Sequence, residues 1–499
     1  MLVLFSQKCR INLNHKLNIM KNIKLLFLAC IMIQCSSPRA EERKWPENIQ
    51  VIINNTSPLD YSRENRLPLY LWPAIDPGDF SNEDAEILVK ELDKRGVALV
   101  CSWSMEDTAT VMSRCLTIAR AQKKLRQRVN INASDLMYSF FNGDESTAHI
   151  DNNGKPFFDT GFGNKKMGCP FTLDIRKEEI RSRIEFFLER YKKAGLPVDF
   201  VFTDWEVDGP LEVNNAYGTS KKCITCRKFM GENFTFPVFQ KKMREMRSYL
   251  ENYVLSEPVM TRYPHALVCN YAVYPNDGYR YWYDYFEYYV DGQPCKIDQQ
   301  ARYRNWYDDF PLTGFTYAMP VVYTWSGIFK WYDFENTDYR WFYNMLLNAS
   351  NAGKSTPQVI PIISFVHWHT IFEGSSQDST IKQMSKESYQ ELLWHMLLRG
   401  TDTFFMWSEK DEFPEEVQLL HGVYADAQKF GRYLEHGMPV TFDVSDKPGT
   451  VISGLTLGDS ILVRRTDFTT NHEPVQIFAG TKQVTVNYSP GVCIVLALN

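Results

Sequence analysis

The chain has no surplus of positive charge. Its 55 Lys and Arg are outweighed by 60 Asp and Glu, a net charge of −5 over 499 residues. Without a basic footprint, nucleic acid and anionic membrane surfaces are not expected partners. No apolar run is long enough to span a bilayer: the best candidate, 25–33, falls far short of the roughly 20 residues a spanning helix needs. There is no internal repeat and no low-complexity linker, which argues against a solenoid or a string of tethered modules. Metal-ligand motifs are scarce. The close cysteine pair Cys223-Ile224-Thr225-Cys226 has no second pair and no histidine nearby in sequence, whereas a zinc site takes four ligands. The pair reads as a local disulfide, and no metal or cofactor is expected.

The apolar stretch is instead the core of a targeting segment. Lys21-Asn22-Ile23-Lys24 gives it a basic start, so residues 1–40 read as a signal peptide, with Met20 as an alternative start and cleavage after Ala40. A second reading makes Cys35, followed by Ser36-Ser37, a lipidated cysteine, although Gln34 fits a lipoprotein box poorly. The expected location is secreted or periplasmic, and membrane-anchored if Cys35 carries lipid. Eight cysteines then remain: Cys101, Cys115, Cys169, Cys223, Cys226, Cys269, Cys295 and Cys493. Cys101 and Cys269 lie in apolar runs and read as buried thiols.

Aromatic residues are abundant: 27 Tyr, 32 Phe and 12 Trp. Many stand in polar, loop-like contexts, such as Tyr279-Arg280-Tyr281-Trp282-Tyr283, where rings can stack on sugar faces. Apolar strand-like runs at 69–75, 97–101, 129–133, 198–206, 266–274, 315–323, 359–366 and 403–407 alternate with helical patterns. One helix is expected over 82–95. Another carries Ile180, Ile184, Phe187, Leu188 and Tyr191 on one stripe and ends at Gly195 and Pro197. A Gly-, Asn- and Asp-rich loop over 135–172 is long enough to suggest function. Eight strand–helix units over 41–437 predict a (β/α)8 TIM-type barrel. From Met438 the pattern changes to short alternating runs separated by turns such as Lys447-Pro448-Gly449, so 438–499 is expected to be a small antiparallel β-sandwich packed on the barrel.

The run Val198-Asp199-Phe200-Val201-Phe202-Thr203-Asp204-Trp205-Glu206 ends in two carboxylates around a tryptophan. Side chains at i and i+2 of a strand share a face, so Asp204 and Glu206 stand together with Trp205 turned away. Adjacent carboxylates raise one another's pKa, and a carboxyl kept protonated can act as a general acid. The plainer alternative is a strand end whose acids pair with Arg or cap the next helix. Barrel sites lie at strand C-termini. Asp76, Trp103, Tyr271, Tyr274, Tyr323, Trp325, His367, Trp407 and Glu409 all fall at such ends, a convergence suited to a polysaccharide or glycan substrate. His367 and His369 share a face and invite a metal reading, but no third ligand is evident in sequence.

Several segments resemble the hyaluronidase family, in order along the chain. Asp204-Trp205-Glu206 followed by Pro210 is similar to its D-W-E strand, Tyr271-Ala272-Val273-Tyr274-Pro275-Asn276-Asp277-Gly278-Tyr279 to its Y-x-F-P-D-C-Y segment, Ala318-Met319-Pro320-Val321-Val322-Tyr323 to A-L-Y-P-S-x-Y, and Phe404-Phe405-Met406-Trp407-Ser408 to its last strand. The resemblance implies substrate-assisted retention. Glu206 would protonate the glycosidic oxygen, Asp204 would orient the 2-acetamido group, Tyr323 would hydrogen-bond it, and Trp407 would form the apolar floor. The chain departs from that pattern at Ala272, where the family has Tyr, and at Val207-Asp208-Gly209, which replaces Glu-Trp-Arg. Two other readings stand beside it. One is a two-carboxylate glycosidase with Glu206 as acid and Glu373 or Glu409 as nucleophile or base. The other is a barrel that binds glycan without turnover.

Overall fold

The computed structural model describes residues 43–498 except 77, 139–142, 161–165, 173, 206–215, 274–276, 280–288, 291–292, 295–302, 306–309, 331, 356–360 and 373–376. The segment 1–40 with Cys35, and the candidate residues Glu206, Tyr274 and Glu373, lie outside the described residues.

Eight short parallel strands carry the central part of the chain. They are β1 (Tyr70–Leu71), β2 (Val100–Ser102), β3 (Asn130–Asn132), β4 (Phe200–Thr203), β5 (Leu267–Asn270), β6 (Val321–Trp325), β7 (Ile363–Ile371) and β8 (Thr403–Met406). Two four-stranded sheets form, ordered β2-β3-β4-β5 and β1-β8-β7-β6. Parallel bridges Leu69↔Val97 and Ile75↔Val100 join β1 to β2. The segment before β6 meets β5 through Thr316 N–H donating to Val268 O at 2.9 Å. The expected first strand, 69–75, is interrupted. Pro73 has no N–H for a ladder, and Trp72–Ala74 becomes a 3-10 turn.

Helices cover these strands. Asn82–Asp93 starts at Ser81, whose hydroxyl accepts from Asp84 N–H, and buries Ala85, Leu88, Val89 and Leu92 at helical spacing. Within Asp174–Lys193 the stripe Ile180, Ile184, Phe187, Leu188 and Tyr191 is fully buried. Between the two sheets, rings meet in layers: Tyr70 stacks on Phe200 at 4.2 Å, and two residues on along β4 Phe202 meets Phe405 at 4.5 Å and Phe405 meets Phe365 at 4.9 Å, both tilted.

The C-terminal strands are antiparallel. β9 (Met438–Pro439), β10 (Thr450–Leu457), β11 (Ser460–Asp467) and β14 (Ile494–Ala497) form one sheet, ordered β9-β10-β11-β14, and β12 (Val475–Ala479) pairs with β13 (Lys482–Val486) as a hairpin. One sheet face shares a core with the hairpin: Ile452, Ile461 and Val463 meet Val484, Val486 and Leu498. The other faces the Lys386–Leu397 helix and the turn after it, where Leu455 and Leu462 pack on Leu398. Both faces are covered, so β10 and β11 bury nearly every central residue instead of alternating.

The cysteine expectation is corrected. Cys223 and Cys226 are free and buried, as are Cys101, Cys115, Cys169 and Cys269. Cys223 precedes the Ile224–Met230 helix and Cys226 lies within it. Cys226 Sγ is 3.5 Å from Cys169 Sγ and 3.8 Å from His149 Nδ1. The histidine that the local sequence lacks arrives from 77 residues away.

Candidate active site at the strand ends

The end of β4 is fixed by neutral side chains from both neighbouring strands. Asn132 at the end of β3 accepts the Ser134 N–H at 3.1 Å, and Ser134 Oγ in turn accepts the Asp204 N–H at 2.7 Å. Tyr138 donates its hydroxyl to Asp204 O at 2.7 Å. On the other side Asn270, at the end of β5, accepts the Trp205 N–H at 2.9 Å and donates to Trp205 O at 3.1 Å. Its Nδ2 also reaches the buried Glu251 at 2.9 Å, and Glu251 pairs with Arg247 at 3.1 Å. Arg247 adds a second donor to Trp205 O at 2.7 Å. These backbone hydrogen bonds of Asp204 and Trp205 all end on placed side chains, which holds the carboxylate-bearing turn rigid.

Phe202 points among Phe365, Phe405 and Trp72. Asp204, two residues on, extends the same face beyond the ring layer. Trp205 is buried on the opposite face, with the Arg176 guanidinium 5.9 Å from its ring centre. Asp204 is half-buried, and among the described residues no cation or donor meets its carboxylate. Burial alone pushes its pKa up to about 6.

The same two-residue step builds the wall. His367 follows Phe365, and Trp407 follows Phe405. Tyr323 lies 6.4 Å from Tyr271, 5.7 Å from Phe365, 5.9 Å from His367 and 6.2 Å from Trp407, centre to centre. His367 and Trp407 meet edge to face at 4.6 Å. Tyr271, Tyr323, His367 and Trp407 therefore form one contiguous aromatic set from β5 to β8. A buried acid backs this wall: Glu416 Oε2 lies 3.1 Å from His367 Nδ1, and its Oε1 accepts the Trp368 N–H at 2.7 Å. Trp407 O stands 2.9 Å from the same Nδ1. A carbonyl can only accept, so Nδ1 carries a proton; the other ring nitrogen is Nε2. Glu412 Oε2 is 3.8 Å from that Nε2, and Glu412 Oε1 is 3.7 Å from His369 Nδ1.

The other expected contact residues have neighbours of their own. Trp103 is fully buried and stacks on Phe187 at 5.1 Å, facing the helix layer rather than the strand ends. Asp76 is ion-paired with Arg114, which also binds Asp79, so the plainer alternative of a strand-end acid held by Arg applies there. Trp325 folds over Gly327, where an added Cβ would lie 2.9 Å from the indole. Glu409 is exposed, and its carbonyl accepts the Phe413 N–H at 3.0 Å at the start of the Phe413–Ala427 helix. Sequence reasoning missed Glu412 and Glu416, whose signal was the pair of acids four apart in that helix's first turns. It also missed Asn132 and Asn270, polar residues within apolar strand runs, and Ser134, just after the run 129–133. Among the described residues, the grouping with metal-ligand chemistry is His149, Cys169, Cys223 and Cys226.

No family model matches the chain, and no curated protein matches it. Solved structures similar to it include the GH36 α-galactosidase AgaA of Geobacillus stearothermophilus with stachyose, at 12% identity and a TM-score of 0.40 over 90% of this chain. This chain spans only 58% of that enzyme's length. An α-amylase of Lactobacillus plantarum is similar at 11% identity and a TM-score of 0.42, over 90% of this chain and 99% of the other. A bee venom hyaluronidase is among them at 12% identity and a TM-score of 0.31, over 58% and 85%. The fold itself is α/β, with parallel sheets followed by antiparallel strands.

Proposed function

We propose that the chain is a glycoside hydrolase whose two parallel sheets close into one (β/α)8 barrel, with the active site at the ends of β4 to β8. The bridges between β1 and β2 and the hydrogen bond from Thr316 to β5 support closure. The observation that carries the function is Asp204. It is a carboxyl with no cation partner among the described residues and a midpoint of about 6, at the end of a rigidly held strand beside a continuous aromatic wall. A carboxylate left in that state lowers stability, and such groups concentrate at chemical sites. In the reading we favour, the substrate is a glycan with a 2-acetamido sugar. Asp204 orients the acetamido N–H and stabilises the oxazolinium, Tyr323 hydrogen-bonds the acetamido group, Trp407 lies under the ring, and Glu206 supplies the proton to the leaving oxygen. In this proposal the protein is secreted or periplasmic, and residues 438–499 act as a separate domain that braces the barrel.

The test is turnover on a panel of N-acetylated and non-acetylated polysaccharides. Asp204→Asn should lower kcat by about 10²–10⁴-fold with folding retained. A thiazoline mimic of the oxazolinium should bind far more tightly than the sugar. Near-normal activity in Asp204→Asn would move the chemistry elsewhere. Fluorosugar labelling of Glu409 or Glu373 would replace substrate assistance with a two-carboxylate mechanism. No turnover by the parent protein on any glycan it binds would leave a binding protein.

A further inference from the structure

His149, Cys169 and the pair Cys223 and Cys226 come from three segments and meet in one buried cluster, with their ligand atoms all within 4.8 Å of one another. From these residues we infer a structural zinc site, Cys3His, that clamps together the connections following β3 and β4. It stands independently of the hydrolase reading.

The distances fit a metal better than a bond or an ordinary contact. Ligands on a tetrahedral zinc, with Zn–S about 2.3 Å and Zn–N about 2.0–2.1 Å, lie about 3.5–3.8 Å apart. Cys169 and Cys226 sulfurs are 3.5 Å apart, and Cys226 Sγ and His149 Nδ1 are 3.8 Å apart. A disulfide would bring two sulfurs to about 2.0 Å. Soft thiolates with one imidazole select zinc over the hard cations. All four residues are buried, and four protein ligands leave no open position. That is the pattern of a structural site, not a catalytic one.

The local backbone is shaped to deliver these atoms. His149 lies on a short hairpin, His149–Ile150 with Pro156–Phe157, and its ring stacks on Phe157 at 5.2 Å. Cys169 is drawn against that hairpin's approach by its N–H, which donates to Thr147 O at 2.7 Å. The preceding Gly168 is required for this: a Cβ there would stand 2.3 Å from Thr147 O. Cys223 and Cys226 bracket the first turn of the Ile224–Met230 helix, spaced so that both sulfurs reach one point. Phe171 and Phe229 stack at 4.5 Å and bring the same two connections together. Packing alone would not call for three thiols and an imidazole at the centre. The connections so joined flank the strand that ends in Asp204, and Tyr138, on the first of them, bonds its backbone.

The experiment uses the full chain, purified without chelator or added metal. Metal content by mass spectrometry should be about one zinc per chain. The cobalt-substituted protein should show intense visible bands and thiolate-to-cobalt charge transfer of a tetrahedral site. Cys226→Ser should lower bound metal at least tenfold, while Cys493→Ser, outside the cluster, should leave it unchanged. If Cys226→Ser does not fold, His149→Cys keeps four ligands and should still bind one cobalt with stronger charge transfer. Metal far below one per chain in the parent protein would overturn the inference. So would a disulfide between any two of these cysteines in non-reducing peptide maps. Neither readout depends on glycan turnover.

Discussion

Two aspartates, Asp204 after β4 and Asp467 on β11, show how the same side chain is used for different ends. Asp467, on β11, is buried with Arg465, which reaches both its oxygens at 2.9 Å, and His472 Nδ1 adds a contact at 2.9 Å. Burial raises its pKa, but the Arg465 and His472 bonds outweigh that and leave it below the usual carboxylate value. Asp204 is desolvated without such a partner among the described residues, and its pKa rises to about 6. Around Asp204 the placed polar groups hold the backbone and leave the carboxyl unbalanced. Around β11 they neutralise the charge itself. Arg464 pairs with Glu391 at 2.6 and 2.8 Å over the face of Trp394, and neutral His395 bridges Ser453 and Thr466 at 2.7 and 3.0 Å. The C-terminal strands thus balance their buried charges, whereas the end of β4 leaves a half-buried carboxyl without a counter-charge among the described residues.

The largest stability effect should come from breaking the balanced pair. Arg465→Met leaves Asp467 buried with His472 and Thr450 but no guanidinium, and should cost about 3–5 kcal/mol by denaturant titration. Replacing both, Arg465→Met with Asp467→Leu, should recover most of that loss, because a buried pair contributes little beyond its own desolvation. A double variant as unstable as the single one would show that the pair itself, and not the orphaned charge, carries the energy. Next in size is Asn270→Ala. It orphans the Trp205 N–H and should cost about 1–3 kcal/mol. Because Asn270 is a positioning residue, kcat should fall while KM changes little. An unchanged kcat would mean that the end of β4 is held well enough by Ser134, Tyr138 and Arg247.

The third test reverses sign. Between about pH 4 and 6 folded Asp204 keeps a proton that the unfolded chain has released, so stability falls as pH rises through that window and the full penalty applies above 6. Asp204→Asn removes the penalty. It should stabilise the protein by about 1–2 kcal/mol at pH 7.5, a linkage value discounted for partial exposure, and by nothing below pH 4. Asp467 has the opposite dependence: its contribution is present above pH 4 and is lost as pH falls through its lowered pKa. A gain in stability together with a loss of turnover in Asp204→Asn is the signature of a site kept at the expense of folding.

The strand–helix alternation was legible because apolar runs and the Ile180–Tyr191 stripe are set by burial, which local sequence records directly. So was the change of pattern at Met438. The aromatic set at the strand ends followed from the same counting: Tyr271, Tyr323, His367 and Trp407 each fall at the end of an apolar run. Not legible was anything decided by a partner distant in sequence. Trp103 sits at a strand end like the others, but its packing on Phe187 belongs to the helix layer. Asp76 meets Arg114, 38 residues on. Cys223 and Cys226 lack a neighbouring histidine only in one dimension. Glu416 reads as an ordinary helix-start acid until β7 brings His367 against it.

The smallest effect concerns the backbone. In the C-terminal strands each residue with positive φ is a glycine: Gly458 at 60°, Gly480 at 66° and Gly491 at 69°. At the strand ends, positive φ falls on side-chain-bearing residues, Asp76 at 53° and Ala272 at 59°. Left-handed backbone costs a non-glycine residue about 1–2 kcal/mol, and glycine gives back part of the difference in the unfolded chain. Nothing lies within 4 Å of a Cβ built at Gly480, so Gly480→Ala should cost about 1 kcal/mol through backbone alone. Ala272→Gly should gain about 0.5–1 kcal/mol by the reverse argument. The informative reading is activity. Ala272 follows Tyr271, and a flexible glycine there frees the ring that touches Tyr323 and Phe365, so Ala272→Gly should be more stable and slower. If it is more stable and just as fast, the strained turn has no part in holding the aromatic wall, and the contrast between the two regions narrows to the two aspartates.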